Sequence, residues 1–356
     1  MRRCFLLFLS LSLMTGCTPE QQILEELQLV QTIGYDYVSE DKILGTGGST
    51  SIPPGQQSLP TDEVFSAVGY TSKQIRQKLQ NESTKPIVIG RVGVVLFNQK
   101  LAEKGISDLL DNLQRDPEIG RDIFLALAQD SSQKIISTKY STSVPTSNYI
   151  FDLIQQNMEQ DMPRINLHAF LYRYYGKGLN AYMPILQKID DRLKIIGIGI
   201  FKDDRLVQQI NTEEAYYLKM AEDTIKKGIL EIDFKNKKLS IENLSSKPKI
   251  TVEKRNGSYK TELTLKIKGR ISEGGGFRMT SKNIISGIEK TTRKQIEQHM
   301  EKLIQSFQEN QVDPIGFKRK AMQNRTFSNK KWGDQYAKMP IRVNVEVAII
   351  HAGIME

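Results

Sequence analysis

The segment from Arg2 to Cys17 constrains everything downstream of it. Arg2 and Arg3 precede a mostly apolar stretch of about ten residues, followed by Thr15, Gly16 and Cys17. A helix that crosses a bilayer needs roughly 20 apolar residues, so this stretch is too short. A basic start, a short apolar core and a small-residue cut site predict an export signal that is removed. Cys4 leaves with it, so of the two cysteines in the chain only Cys17 remains. No disulfide within the exported chain is then available, and the body must be held together by packed cores.

Met14-Thr15-Gly16-Cys17 resembles the bacterial lipobox, in which a diacylglycerol is joined to the cysteine and the chain is cut just before it. Met14 stands where leucine is commoner. Each buried methylene contributes about 0.8 kcal/mol and one acyl chain gives only marginal binding, whereas two chains anchor stably. The expectation is a signal peptide over residues 1–16, lipid attachment at Cys17, and everything beyond it on the outer face of a membrane. The alternative is an ordinary signal cut near Gly16 and a soluble secreted product. No later segment is long and apolar enough to re-enter the bilayer. The longest candidates, 87–97 and 195–201, are strand-sized.

At 356 residues the chain has room for two or three domains. Its 39% hydrophobic and 26% charged residues are ordinary globular composition. The formal net charge is +9, and Arg2 and Arg3 contribute two of those charges before removal. A basic surface can favour anionic head groups, but evenly spread, solvated lysines are the simpler reading. The cations are not gathered in one arm and export leads away from nucleic acid, so no nucleic-acid partner is expected. His168, His299 and His351 lie far apart, without a Cys or His partner at metal spacing, and no metal site is expected.

Periodicity divides the chain. Residues 29–38 read as a strand, rich in β-branched and aromatic side chains. Residues 45–60 carry Gly, Ser, Thr and Pro and read as a loop. A helix is expected over 72–80, a continuous buried strand over 87–97, a short helix over 106–113, a strand over 122–128 and an amphipathic helix over 147–160. Residues 165–175 fit either type. Residues 193–201 and 205–210 form a hairpin turned by Lys202-Asp203-Asp204. Asn211 or Thr212 then caps a helix, with Glu213 and Glu214 in its first turn.

The last third of the chain is more regular. Strands are expected over 229–234 and 249–254. Asn256-Gly257 is the favoured two-residue hairpin turn, and 259–268 returns. Ser281 caps a long helix over 281–308, with Ile284, Ile285, Ile288, Thr292, Ile296, Met300, Leu303, Ile304 and Phe307 on its apolar stripe. That stripe reads most simply as core, and a partner-binding groove is the sharper alternative. Residues 341–349 alternate strictly, which places one face inside and one in water. Strands, then a long helix, then a strand predict α+β class, with mixed or antiparallel sheets, packed helices, and a C-terminal antiparallel sheet against one long helix. The division expected is an N-terminal α+β region over 17–200, with room for two subdomains, and a C-terminal α+β domain over 201–356. Its boundary lies between residues 188 and 211.

No catalytic set emerges. Gly45-Thr46-Gly47-Gly48-Ser49 lacks the lysine of a phosphate loop. Gly274-Gly275-Gly276 reads as a flexible turn rather than an anion site, and no Gly-x-Ser-x-Gly elbow occurs. The pairs Asp203-Asp204, Glu25-Glu26 and Asp190-Asp191 read as turn or surface chemistry. Neither catalysis nor a cofactor is expected. Trp332, the only tryptophan, is either buried at a domain edge or an exposed partner contact.

With these segments in view the chain resembles the Ger(x)C lipoproteins, the C subunits of spore germinant receptors. Residues 29–38 with Ile33-Gly34-Tyr35-Asp36 resemble the family's first strand after the anchor. Lys85-Pro86-Ile87-Val88-Ile89-Gly90, Val95-Leu96-Phe97, residues 101–106 and residues 110–116 resemble its N-terminal block. Gly199-Ile200-Phe201-Lys202-Asp203-Asp204-Arg205-Leu206-Val207 is the most specific segment. Asp313-Pro314-Ile315-Gly316-Phe317, Trp332 and residues 343–353 resemble the close of the C-terminal domain. Residues 45–60 follow no pattern of the family. The resemblance implies a multidomain α+β fold and no enzyme. It implies a lipid-anchored subunit on the outer face of the spore inner membrane, partnered by a membrane A subunit and a transporter-like B subunit. Its role would be a non-catalytic scaffold or coupler in nutrient-triggered germination, with Cys17 the one position of defined chemistry. The rival from another class is a substrate-binding lipoprotein of an importer, which requires two similar α/β lobes around a cleft.

Overall fold

The computed structural model describes residues 26–51, 61–255, 257–277, 279, 281–325 and 327–350. Among these, two sheets carry the fold. The larger has nine strands and the smaller four. The α+β class therefore stands.

The large sheet grows outward from its most apolar strands. β1 (Gln28–Ser39), β5 (Val94–Asn98) and β6 (Phe124–Ala128) run parallel to one another. Val94 to Phe97 and Leu125 to Ala128 are buried on both faces, as expected of parallel strands covered by helices on each side. The run over 87–97 is thus two strands rather than one: β4 (Ile87–Val88) ends before the turn at residues 89–92, and β5 follows. β7 (Tyr182–Ile189) joins β6 in parallel, and β8 (Arg192–Lys202) and β9 (Arg205–Asn211) complete that end as antiparallel hairpins. Asp203 turns the last hairpin with φ 55°, as the sequence predicted. Residues 200 and 201 lie inside β8, so the large sheet continues to Asn211.

At the opposite end, the glycine-rich stretch expected to be a loop is strand β2 (Lys42–Ser51). It pairs with β1 and with the edge strand β3 (Thr61–Gly69). The glycines serve packing. A Cβ at Gly45 would overlap Cγ2 of Ile75 on helix α1 (Ser72–Gln80). On the other face, a Cβ at Gly48 would come within 2.8 Å of Ile136. Helices thus lie close on both faces of β2, which side chains at these positions would prevent.

The other helices of this part follow their caps and stripes. α2 (Gln99–Lys104) starts at Asn98, whose side chain accepts from Leu101 N. α3 (Ser107–Arg115) buries Leu109, Leu110 and Leu113. α4 (Ser132–Ser137) is held by buried Asp36, which accepts from the backbone N–H groups of Ser132 and Gln133 and from the Ser132 hydroxyl. α5 (Thr146–Gln160) buries Ile150, Ile154 and Met158. Residues 165–175 resolve as helix α6 (Leu167–Tyr175), capped by Asn166. α7 (Thr212–Glu222) carries a full capping box between Asn211 and Glu214.

The smaller sheet is built from β10 (Ile229–Phe234), β11 (Lys237–Arg255), β12 (Ser258–Glu273) and β13 (Ile341–Ile349). Gly257, at φ 82°, lies in the expected two-residue turn between Arg255 and Ser258. β11 begins twelve residues earlier than the sequence indicated, after a turn of Lys235 (φ 50°) and Asn236 (φ 65°). α8 (Lys282–Glu309) packs against β13 and β10 with the stripe buried from Ile288 to Phe307, so that part is core, while Ile284 and Ile285 at its start are half-buried. Ser281 occupies its N-cap position but makes no side-chain cap bond. β13 corrects the antiparallel expectation: it enters parallel to β12, because the chain returns through the long helix to the same end of the sheet. Two short helices, α9 (Phe317–Ala321) and α10 (Asn329–Tyr336), lie between α8 and β13. Among the described residues no helix is long and apolar enough to cross a membrane.

Replacing Gly45 by Val should drive two methyls into Ile75 and destabilise the protein by about 1–3 kcal/mol. Urea unfolding would show a lower midpoint at unchanged slope. Gly120→Ala, where a Cβ would meet nothing within 4 Å, should leave the midpoint in place.

Candidate functional site

A buried polar cluster lies where the large sheet meets the segment after α8. Arg173 of α6 projects inward, and its side chain is 16% exposed. Its Nη2 donates to Oε1 of Glu222, at the end of α7, at 2.7 Å, and its Nη1 donates to the Pro314 carbonyl at 2.9 Å. The Tyr182 hydroxyl of β7 donates to the other Glu222 oxygen at 2.5 Å, and the guanidinium lies 4.4 Å from the Tyr182 ring centre. Burial raises the Glu222 carboxyl above its ordinary range, while Arg173 beside it favours the charged form. Burial and the Glu222 charge both push the Tyr182 phenol up.

Asn180 extends this cluster into a clasp. Its Nδ2 donates to the Phe201 carbonyl of β8 at 2.8 Å, and its Oδ1 accepts from Asp313 N at 2.7 Å. Its own N–H donates to the Asp313 carbonyl at 3.2 Å. The Asp313 carboxylate accepts from the backbone N–H groups of Gly316, Phe317 and Lys318 at 2.8, 3.1 and 2.6 Å, which closes the turn into α9. Gly316 takes φ 91° there. Arg319 N donates to the Gly178 carbonyl, and the Tyr336 hydroxyl donates to the Val312 carbonyl. A cleft of about 330 Å³ opens beside the clasp, with Lys202, Gln311 and Trp332 among its walls. Burial lifts the Asp313 carboxyl from 3.8 to about 6, against the three N–H donors that favour its charged form.

The carboxylates and guanidinium of this arrangement are bonded to one another and to backbone. Among the described residues no group of His, Cys, Asp and Glu could hold a metal ion.

The expected site residues are placed as follows. Met14, Thr15, Gly16 and Cys17 lie outside the described residues. Trp332 is 2% exposed, edge-on to Tyr259 at 5.1 Å and stacked on Tyr336 at 5.7 Å. The partner-contact reading of this residue therefore gives way to burial, because the indole offers almost no surface. Asp204 does more than turn a hairpin: it accepts from Ser107 N and, through its carbonyl, from Ile106 N, tying the β8–β9 turn to α3. Arg173, Asn180, Tyr182 and Glu222 were not singled out in the sequence. The one local signal was Asp313 set three to five residues before the N–H groups it binds, just ahead of α9. The two unequal sheets, of nine and four strands, are not the paired similar lobes that an importer's binding protein requires.

Removing Arg173 as Arg173→Met should cost about 3–5 kcal/mol, because Glu222 is left buried and unpaired. The double variant with Glu222→Gln should recover part of that loss in a urea double-mutant cycle. For Asp313 the folded pKa lies above the unfolded value. Its contribution is therefore fully present below about pH 4 and is lost as pH rises to about 6. Stability curves of the wild type and of Asp313→Asn should diverge across that window by about 2–3 kcal/mol, with the wild type falling relative to the variant as pH rises.

Comparison with known proteins agrees with this architecture. Residues 20–188 match the family model described as the spore germination protein N-terminal domain, and residues 196–353 match the one described as spore germination B3/GerAC like, C-terminal. The chain is 27% identical to spore germination protein GerQC of Bacillus cereus, over 99% of both chains. It is 22% identical to spore germination protein B3 of Bacillus subtilis (strain 168), over 98% of this chain and 96% of that one. The crystal structure of the GerBC protein superposes with a TM-score of 0.62 at 18% identity, covering 90% of this chain and 97% of that one, and so shares the fold. Matched from residue 20 to residue 353 by its two domain families in order, and by relatives along nearly its whole length, the chain belongs to the Ger(x)C family of spore germination proteins.

Proposed function

We propose that this protein is the lipid-anchored C subunit of a spore nutrient germinant receptor, needed for nutrient-triggered germination. The observation that carries the reading is the ordered match of both family domains along the chain, behind the Met14-Thr15-Gly16-Cys17 motif. The diacylglycerol on Cys17 supplies two acyl chains, enough for stable attachment. The folded body then stands on the outer face of the spore inner membrane, against the A and B membrane subunits. Its role is a non-catalytic scaffold or coupler. The Arg173–Glu222–Asn180–Asp313 clasp supports that role, because it ties the large sheet to the segment after α8 and lets the two move as one body under load. On this reading the chain divides into a signal over 1–16, an N-terminal region over 17–200 and a C-terminal domain over 201–356, with strand β8 crossing the division and joining the two.

Changing Cys17 to Ala should release the protein from the spore membrane fraction and reduce germination through one nutrient receptor. Mass spectrometry of the wild-type membrane form should find a diacylglycerol adduct on an N-terminal Cys17. A bare thiol there, with nutrient-triggered germination unchanged in the variant, would overturn the reading.

A further inference from the structure

A second cavity, of about 200 Å³, lies between the β1–β2 ladder and helix α1, well away from the clasp. Its walls are aliphatic, with Val30, Ile75, Leu79, Ile89 and Leu113 all buried. Its floor is the cross-strand pair Ile33–Gly47.

Gly47 differs from its neighbours in β2. At Gly45 and Gly48 an added Cβ would run into Ile75 or Ile136, so packing demands glycine there. At Gly47 an added Cβ would lie 3.5 Å from Val30 and 3.9 Å from Leu79, which is ordinary contact, and the backbone is not in the left-handed region. Glycine inside a strand weakens it, and such positions mark places where another group approaches closely. Among the described residues no protein atom uses that space. What glycine preserves at position 47 is the open volume above the floor.

The polar groups of the cavity gather at one end. Tyr35, paired across the ladder with Gly45, stands beside Ser72 and Asn112, and Asn112 Nδ2 donates to the Ser72 hydroxyl. Arg76 and Asp116 also line it, but Arg76 is paired with Glu118 at 2.8 Å and lies 3.9 Å from Asp116. The exposed Lys73 is a further wall residue. Arg76 is thus matched by acidic neighbours and Lys73 stands in water, so the groups that face a guest inside the cavity are the Tyr35 and Ser72 hydroxyls and the Asn112 amide. Aliphatic walls with a few convergent polar groups are the usual make-up of a small-molecule site. An apolar cavity of this order accepts a benzene-sized guest.

We propose that this cavity binds a small uncharged molecule whose aliphatic or aromatic body is between a benzene and an indole ring in size, with any hydrogen-bonding group directed at Tyr35, Ser72 and Asn112. The site requires neither Cys17 nor a partner subunit, so its test is independent of the anchored-receptor reading.

The test uses the purified full chain, labelled on Ile, Leu and Val methyls and titrated with indole, benzene and sodium benzoate. Indole and benzene should shift the Ile75 and Leu79 methyls saturably, with Kd values of about 0.1–1 mM for guests of this size, and should raise the melting temperature. Benzoate should bind at least about tenfold more weakly, since its carboxylate must leave water for aliphatic walls and a pair with the solvated Lys73 returns little of that cost. Gly47→Val should fill the floor and weaken indole at least about tenfold. If that variant does not fold, Gly47→Ala serves in its place and should weaken indole severalfold. The proposal fails if neither indole nor benzene gives a saturable shift up to about 10 mM. It also fails if benzoate binds as well as indole, or if the folded Gly47 variant binds indole like the wild type.

Discussion

Burial of the parallel strands β5 and β6 on both faces is the constraint on which the rest of this molecule depends. From residue 18 onward the chain contains no cysteine, so no covalent staple assists. Stability has to come from apolar area, at about 1.5–3 kcal/mol for each fully buried Leu, Ile, Val or Phe side chain. Leu96, Phe97, Leu125 and Leu127 are all fully buried, which requires a helical layer above and another below. The glycines of β2 follow from the same demand. Where the sheet reaches its end, helices can close on both faces only if the strand between them is thin.

The Arg173–Glu222 pair solves a different problem. A junction built only from apolar surface would bind without specifying a register. A guanidinium that must meet one carboxylate, one carbonyl and one ring face has few alternative positions. The desolvation of both charges makes the junction costly to form and costlier to half-break. Tyr182 and Asn180 complete it from adjacent positions on and before β7, so a short stretch of chain addresses both Glu222 and Asp313. Such a junction holds its two sides in one register.

Much of the secondary structure was legible because its signals are local. Asn211 with Glu214, Asn256-Gly257 and the stripe from Ile288 to Phe307 each lie within one turn or one face, and the structure shows the capping box, hairpin and packed helix they predict. Misreadings share the opposite property. Gly45 to Ser51 looks like a loop until Ile75 and Ile136 are brought against it from distant helices. The run over 87–97 is equally apolar across its turn, and hydrophobicity alone does not mark where pairing with β1 stops. Ser281 has the right residue type for a cap without making the bond. The clasp was nearly invisible, since Arg173, Glu222 and Asp313 are separated by dozens of residues and each reads singly as an ordinary surface charge.

By itself the amino-acid sequence determined that no cysteine follows residue 17, the α+β order, the local turns and caps, and the kinship with spore germination proteins. These rest on residue type and on spacing within a turn or a strand. Only the tertiary structure decided that β2 is a strand, that β13 enters parallel, that Trp332 is core, that two distant charges form a junction, and that Gly47 floors an open cavity. Each of those depends on which side chains meet across the chain, and burial and desolvation act on atoms that are near in space however far apart they stand in sequence.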